Sequence, residues 1–120
     1  DQCADIAVIV LDIGQAPPVM PPQELYVMGE IAREMVNHAI QAFIKDDLDI
    51  AMAVCHRDDE LDDTFDRVVQ DIANRMRQDP ASVDQSIKHL MIAKYFERIG
   101  DHAVNIAGWV IFSITGSREE

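Results

Sequence analysis

The positions of the prolines divide this chain more sharply than any other feature. Four of the five prolines lie between Pro17 and Pro22, and the fifth is Pro80. Proline removes a backbone donor and clashes with the preceding helical turn, so a helix ends at each of these places. The long stretches between and after them are free to be helical. A chain of 120 residues is long enough for one such domain with a real core.

Three long helices are predicted after the proline-rich stretch. They run from residue 23 to about 45, from about 48 to 78, and from about 82 to 114. Long helices joined by short connections are typical of an up-down-up bundle. The sequence therefore predicts an all-α protein in which residues 23–116 form an antiparallel three-helix bundle, similar in form to a spectrin repeat.

Capping residues support these boundaries. The Asp46–Asp47 pair supplies an N-cap and a favourable charge for the start of the second helix. Ser82 to Gln85 has the spacing of a capping box and predicts the start of the third. Gly116 follows the last helix, where a C-terminal glycine is favoured.

The residues before the bundle resemble the end of another unit. Residues 1–14 are predicted to be the end of the last helix of a preceding repeat, and residues 15–22 a Pro-rich linker. Asp1–Ala7 aligns with Asp101–Ala107, with identities at the Asp, the Ile and the final Ala. We therefore expect the chain to begin within a longer protein.

Composition excludes several classes of function. The chain has 22 acidic and 10 basic residues, a formal net charge of −12, which argues against binding to nucleic acid or to an anionic membrane surface. No run of apolar residues is long enough for insertion into a bilayer. Cys3 and Cys55 are far apart and suggest neither a disulfide framework nor a zinc site, which favours a reducing cytoplasm.

Four carboxylates interrupt apolar stripes on the second and third helices. Asp58 and Asp62 lie on the second helix, and Glu97 and Asp101 on the third. When the helices fold about the turn near residues 80–81, the two pairs become level to within a few ångströms. The stripes predicted to face inward also contain Ala51, Cys55, Phe65, Val69, Ile72 and Met76 on the second helix, and Val83, Ile87, Leu90, Lys94, Val104 and Ile111 on the third.

A patch of this kind indicates a cation site. At about 6 Å and an effective dielectric constant near 20, each like-charge contact costs roughly 3 kcal/mol. A hard cation such as Mg²⁺, Mn²⁺ or an iron ion removes that cost. We predict a metal site formed by Asp58, Asp62, Glu97 and Asp101, with Asn105 one turn further on as a further ligand or a hydrogen-bond partner of one.

A solvated acidic face is the alternative. Lys94 and Arg98 each lie three residues before an acidic residue of the third helix and could neutralise Glu97 and Asp101 by salt bridges. Among the other residues, Gly100 and Gly108 are predicted to permit close helix packing. The histidines, His89 among them, are interpreted as incidental.

The run Glu97–Ala107, ERIGDHAVNIA, resembles the PhoU family of phosphate-uptake regulators, whose string ERIGDHAxNIA is matched at every specified position. Asp58–Asp62, DDELD, is similar to a second family element, and residues 34–43 are similar to the first family helix. The resemblance covers residues 23–116 and implies one repeat of a fold built from two tandem three-helix bundles. This chain would be the C-terminal repeat.

The resemblance also implies a function. In the family, paired E/D-xxx-D motifs can hold multinuclear iron or other metal ions, and in this sequence they fall at Asp58 with Asp62 and at Glu97 with Asp101. It implies a cytoplasmic, non-enzymatic negative regulator that links a phosphate ABC transporter to a sensor histidine kinase and damps phosphate-starvation signalling.

Three other interpretations of the function stay open. The bundle could be a regulatory PhoU-like domain attached to a sodium–phosphate cotransporter or another ion-transport protein, a metal-dependent hydrolase, or a structural dimerisation bundle. An apolar segment near the end of the third helix, around Trp109 and Phe112, indicates that either a further part of a longer chain or a second subunit packs there, and we expect a homodimer.

Overall fold

Three α-helices account for nearly all of the computed structural model, which describes residues 20–116. The helices are α1 (Gln23–Lys45), α2 (Leu48–Gln78) and α3 (Val83–Thr115). A short 3₁₀ turn, Pro80–Ser82, joins α2 to α3. Each helix packs against the other two in a rod about 53 Å long. The predicted all-α three-helix bundle is confirmed. The predicted helix of a preceding repeat (1–14) and most of the linker (15–19) lie outside the described residues.

The connection between α1 and α2 is only two residues long because both aspartates serve as caps. Asp46 adopts the left-handed conformation (φ 51°) and its N–H donates to the Ala42 carbonyl. Asp47 is the N-cap of α2, and its Oδ1 accepts a hydrogen bond from the Ile50 N–H at 3.1 Å. The predicted N-cap from this pair is confirmed.

The predicted capping box at the start of α3 is wrong. The hydroxyl of Ser82 donates backward to the Asp79 carbonyl at 2.7 Å and makes no forward cap bond. The Asp79 side chain in turn accepts from the Ala81 N–H. The Ser82 hydroxyl is therefore bonded within the 3₁₀ turn and does not cap α3. Gln85, the other residue of the predicted capping box, is buried against the bundle.

The core follows a line of mostly small residues on α3. Its members step by four and three along the helix and are buried or, for Phe96, half-buried: Ser82, Ser86, His89, Ala93, Phe96, Gly100, Ala103, Ala107 and Val110. The stripe predicted on α3 lies one position away, and of its apolar members only Ile111 is fully buried. Small side chains let the helix axes come closest, so they mark the inward face, and the larger residues of the predicted stripe flank it.

Gly100 packs against α2 where a larger side chain would not fit without a shift of its neighbour. A Cβ atom placed on Gly100 would overlap Cδ2 of Leu61, so the predicted role of this glycine in close packing is confirmed. Gly108 is also buried, but a Cβ placed there would meet nothing within 4 Å. The prediction for Gly108 is therefore wrong.

One end of the bundle exposes large apolar side chains. Trp109 and Phe112, which pack edge to face at 6.2 Å between ring centroids, are 58% and 43% exposed on α3. Phe43 and Ile44, at the end of α1, are exposed at the same end. Within residues 20–116, no helix has both the length and the apolarity that crossing a bilayer requires.

Candidate metal centre

Asp58 lies on the inward stripe of α2. That stripe steps by three and four through residues that are otherwise apolar: Ala51, Val54, Leu61, Phe65, Val68 and Ile72. The position explains why Asp58 is half-buried, while Asp62, one turn later, is exposed on the flank. The helix places one carboxylate at the edge of the core and its neighbour in water.

On α3, Glu97 and Asp101 lie on either side of Gly100. Glu97 is half-buried and Asp101 exposed. Gly100 packs against Leu61, which lies between Asp58 and Asp62, so the close approach of the helices brings the two acidic pairs to the same level. The structure thus brings together the four carboxylates singled out by the sequence, along the seam between α2 and α3.

The electrostatics of the seam reflect this crowding. Burial raises the pKa of Asp58 from 3.8 to about 6, with further increases from the charges of Asp62, Asp101, Asp59 and Glu97. Burial also raises the pKa of Asp62, and Glu97 and Asp101 raise it further. Each charged carboxylate therefore makes the charged form of its neighbours less favourable.

One carboxylate oxygen of the cluster lacks any partner. Oδ1 of Asp58 is buried and accepts no hydrogen bond from the described residues. Buried polar atoms are nearly always satisfied, so an exception marks a place that a proton or a bound cation would complete.

Protein cations neutralise the cluster only in part. Lys94 Nζ lies 2.7 Å from Glu97 Oε1, so the first of the two alternative salt bridges is formed. Arg98 instead lies over the Tyr95 ring, 5.7 Å from its centroid, and does not pair with Asp101 within residues 20–116. Asp58, Asp62 and Asp101 have no salt bridge to any described residue.

The donor set fits a hard cation in chemistry but does not yet form a coordination sphere. Four carboxylates are the oxygen ligands that magnesium, manganese and calcium ions prefer. Across the described part of the chain, however, no three His, Cys, Asp or Glu side chains are grouped so that they could hold a metal ion. Binding would require these side chains to turn toward one another. Asn105 is exposed one turn beyond Asp101.

A cavity of about 340 Å³ adjoins the cluster. It is bounded on α2 by His56, Asp58 and Asp59, and elsewhere by apolar residues of both helices, including Met52, Val104 and Ile111.

Sequence reasoning missed a second unusual group, His89. Its side chain is 1% exposed, and neither ring nitrogen has a hydrogen-bond partner among the described residues. Burial lowers its pKa, and the nearby Arg75, whose Nη1 is also buried without a partner, lowers it further. The signal was present in the line of small residues on α3, on which His89 falls.

The bundle has the fold of a PhoU-type helical domain, as the comparisons with known proteins show. The PhoU domain family model matches residues 25–110. The chain therefore belongs to the PhoU family, and the resemblance drawn from the sequence motifs is confirmed.

Three relatives illustrate the similarity; each is a phosphate-specific transport system accessory protein PhoU homolog. The chain is 37% identical to that of Zymomonas mobilis, 35% to homolog 1 of Methanothermobacter thermautotrophicus and 34% to that of Clostridium acetobutylicum. The matches cover 84%, 82% and 80% of this chain but 40%, 45% and 44% of those proteins. The chain thus spans less than half the length of these relatives.

A solved structure agrees with the sequence comparisons. PhoU from Pseudomonas aeruginosa superimposes with a TM-score of 0.85 at 26% identity, over 97% of this chain and 58% of that one.

Proposed function

We propose that this chain is part of a cytoplasmic, non-enzymatic regulator of phosphate uptake. The observation that carries the proposal is membership of the PhoU family, together with relatives named as accessory proteins of a phosphate-specific transport system. Those names favour a separate accessory protein over a domain attached to a cotransporter. In this proposal the regulator contacts a phosphate ABC transporter and a sensor histidine kinase, and it damps phosphate-starvation signalling.

We further propose that the acidic seam binds one or more divalent or iron ions. Asp58, Asp62, Glu97 and Asp101 would supply the ligands, with Asn105 as a further candidate. A bound ion would supply positive charge that neutralises mutually repelling carboxylates. The unpartnered Oδ1 of Asp58 and the three carboxylates without salt bridges support this assignment.

The cation site is tested by titrating the purified chain with Mn²⁺ and measuring bound ion by electron paramagnetic resonance. The double variant D58N/D101N should lose binding by at least tenfold. The control D59N/D63N removes the same charge from exposed neighbours on α2 and should keep most of the affinity. Equal losses of Mn²⁺ affinity in D58N/D101N and D59N/D63N would mean that general charge attraction explains the effect. That result would contradict the proposed site.

The regulatory role is tested in cells with the full-length protein. A host that lacks its own PhoU-family protein is complemented with the wild type or with D58N/D101N, and a phosphate-starvation promoter drives a reporter. The wild type should repress the reporter at high phosphate, and the variant should repress it less. A wild type that folds and accumulates but leaves the reporter fully active would contradict the regulatory role.

A further inference from the structure

One end of the bundle carries exposed large apolar side chains that the proposed cation site does not use. We call this surface the apolar end, and it consists of residues from all three helices: Ile40, Phe43, Ile44, Met52, Trp109, Phe112 and Ile114. Their exposed fractions range from 37% for Met52 to 72% for Ile44. Single exposed apolar residues are ordinary, but a group of this size marks a surface that another molecule covers.

The stretches of α1 and α3 that form the apolar end contain no charged residue. The sequence has no Asp, Glu, Lys or Arg from Met35 to Ile44, and none from His102 to Gly116. Within the second stretch, Trp109 and Phe112 pack edge to face. Exposed aromatic side chains of this kind supply much of the binding energy at protein interfaces. A partner at this end is therefore held at its centre by apolar contacts and not by ion pairs.

The charges that border the apolar end are mostly acidic. Asp46 and Asp49, both exposed, lie where α1 ends and α2 begins. The last turn of α3 contains no basic residue, so the partial negative charge of that helix end is not compensated there. Lys45 is the basic residue at the end of α1, and Arg57 on α2 is held by two glutamates. Within residues 20–116, the border thus favours a positively charged partner.

We propose that the apolar end docks a basic amphipathic helix, namely a cytoplasmic segment next to a membrane span of the phosphate transporter. The inference rests on the proposed function for the source of that segment. Cytoplasmic segments of membrane proteins carry an excess of Lys and Arg. An amphipathic helix presents apolar anchors at positions i, i+3, i+4 and i+7. Its apolar face lies on Trp109 and Phe112, and its basic face lies beside Asp46 and Asp49.

Charge also separates this occupant from the alternatives. A second copy of the chain brings the same acidic border, so like charges would face each other across the contact. Anionic lipid headgroups are repelled by the net charge of −12. A basic segment is attracted by that charge before contact is made, which raises the rate of association. The apolar end and the charge of the chain therefore favour the same kind of partner.

The first measurement uses Trp109, the single tryptophan of the chain, as the reporter. The probe is a tryptophan-free helical peptide of about 18 residues, with leucine at the anchor positions and lysine elsewhere. Titration should move the Trp109 emission to shorter wavelength and reach saturation. The same peptide with glutamate in place of lysine should bind at least about tenfold more weakly. No binding of the lysine peptide, or equal binding of both peptides, would overturn the proposal.

The second measurement places the peptide on the apolar end through the fluorescence anisotropy of a labelled lysine peptide. I44Q/F112Q removes two exposed anchors and should weaken binding by about tenfold. Y26Q/M91Q is the control, because Tyr26 and Met91 are also exposed but lie in the first halves of α1 and α3, toward the opposite end. Equal losses of affinity in the two variants would overturn the proposal.

The acidic border is tested with the same labelled peptide. D46N/D49N should weaken binding about three- to fivefold at low salt, and the difference should disappear at about 1 M NaCl. Asparagine suits position 46 because it tolerates the left-handed conformation found there. D63N/D66N removes the same charge from exposed positions further along α2 and should bind like the wild type. Equal effects of the two pairs would overturn the selection of a basic partner by this border.

The source of the segment is tested with the full-length protein. Peptides that copy the Lys/Arg-rich cytoplasmic segments of the transporter's membrane subunits should bind, and peptides from their periplasmic loops should not. Binding of the lysine peptide without binding of any transporter segment would overturn that source. Binding by the 120-residue chain but not by the full-length protein would mean that the rest of the longer protein covers the apolar end, which also overturns the proposal.

Failure of the proposed function gives a different result. If the cytoplasmic segments bind but the full-length protein does not repress the reporter, the docking holds and the regulatory role is contradicted. If the reporter is repressed and no basic peptide binds, the docking alone is overturned. In that case, dimerisation that is lost in I44Q/F112Q would assign the apolar end to a second copy. A shift of the Trp109 emission with phosphatidylcholine vesicles alone would assign it to a membrane.

Discussion

Within residues 20–116, Asp58 and His89 each bury a side-chain polar atom that lacks a hydrogen-bond partner, as Arg75 also does. Asp58 lies at the edge of the core on α2, beside three carboxylates and a cavity. His89 lies within the core on α3, 1% exposed, with Arg75 as its nearest charge. Both are pushed toward the neutral form, but their neighbours differ in sign.

That difference sets the proposed cation site apart from the surroundings of His89. A cation placed beside Asp58 would relieve the repulsion among four carboxylates, so the seam favours a positively charged ligand. A cation placed beside His89 would be repelled by Arg75. Unpartnered polar atoms thus indicate a ligand only where the surrounding charge also favours one.

The largest expected effect comes from Gly100, which holds α2 against α3 beside Asp58. The variant G100A should lower the free energy of unfolding by about 2 kcal/mol, because Leu61 must move to admit the new methyl group. Urea unfolding measures the loss. G108A is the matched control on the same helix. It meets no atom within 4 Å and should be neutral or stabilising by up to about 1 kcal/mol, since alanine is the better helix former.

The variant G100A also tests whether the packing of α2 against α3 affects Asp58, one of the two side chains compared above. If G100A separates the helices at Asp58, the stability difference between G100A and the wild type should depend on pH around 6, where Asp58 titrates. Stabilisation by G100A would show that the close approach is not needed there.

The next effect concerns His89. Replacing it by leucine removes two buried nitrogens without partners and should raise the free energy of unfolding by about 1 to 2 kcal/mol at pH 8. Because burial lowers the pKa of His89 below its ordinary value of 6.5, the wild type keeps this histidine's neutral form above that value and loses stability as the pH falls below it. The advantage of H89L should therefore grow at pH 5.

Thermal unfolding of H89L and the wild type between pH 5 and 8 provides the measurement. H38L changes an exposed histidine on α1 and serves as the control for the general effect of losing an imidazole. A pH dependence that is the same in H89L and the wild type would remove His89 as its source.

The smallest effect belongs to D58N in metal-free buffer. The folded protein holds the pKa of Asp58 at about 6, against an ordinary 3.8, so the charged form destabilises the fold above pH 6 and the penalty disappears as the pH falls toward 4. D58N should therefore stabilise the protein by about 1 kcal/mol at pH 7.5, after allowance for screening by water, and by almost nothing at pH 4.

Chemical unfolding at the two pH values measures the effect, with D63N as the exposed control on the same helix. A D58N variant that is less stable than the wild type at pH 7.5 would mean that Asp58 makes a favourable contact in its charged form. That result would weaken the contrast with His89.

Much of the fold could be predicted because the residues that end its helices act through local backbone chemistry. The prolines, the Asp46–Asp47 pair and Gly116 mark helix ends through their own backbone chemistry, and the observed boundaries agree closely with those predicted. The predicted capping box does not form because the Ser82 hydroxyl donates to the Asp79 carbonyl instead. That carbonyl is placed within reach by the 3₁₀ turn, which no pattern in the sequence predicted.

The acidic seam could be predicted because helical periodicity alone places Asp58 and Asp62 level with Glu97 and Asp101. The inward faces were harder, since apolar residues occupy two neighbouring stripes of α3 and only packing decides between them. The line of small residues forms the inward face because it permits the contact of Gly100 with Leu61. His89 was missed for the same reason, because its burial follows from that line and not from its own chemistry.

The two short connections have a consequence for how the chain folds. With two residues between α1 and α2 and four between α2 and α3, each neighbouring pair of helices can close as a hairpin with little loss of loop entropy. The contact of α1 with α3 joins the two helices that are farthest apart in sequence. Proteins dominated by such local contacts fold in microseconds to milliseconds, so the bundle is expected to assemble fast, as two hairpins that share α2.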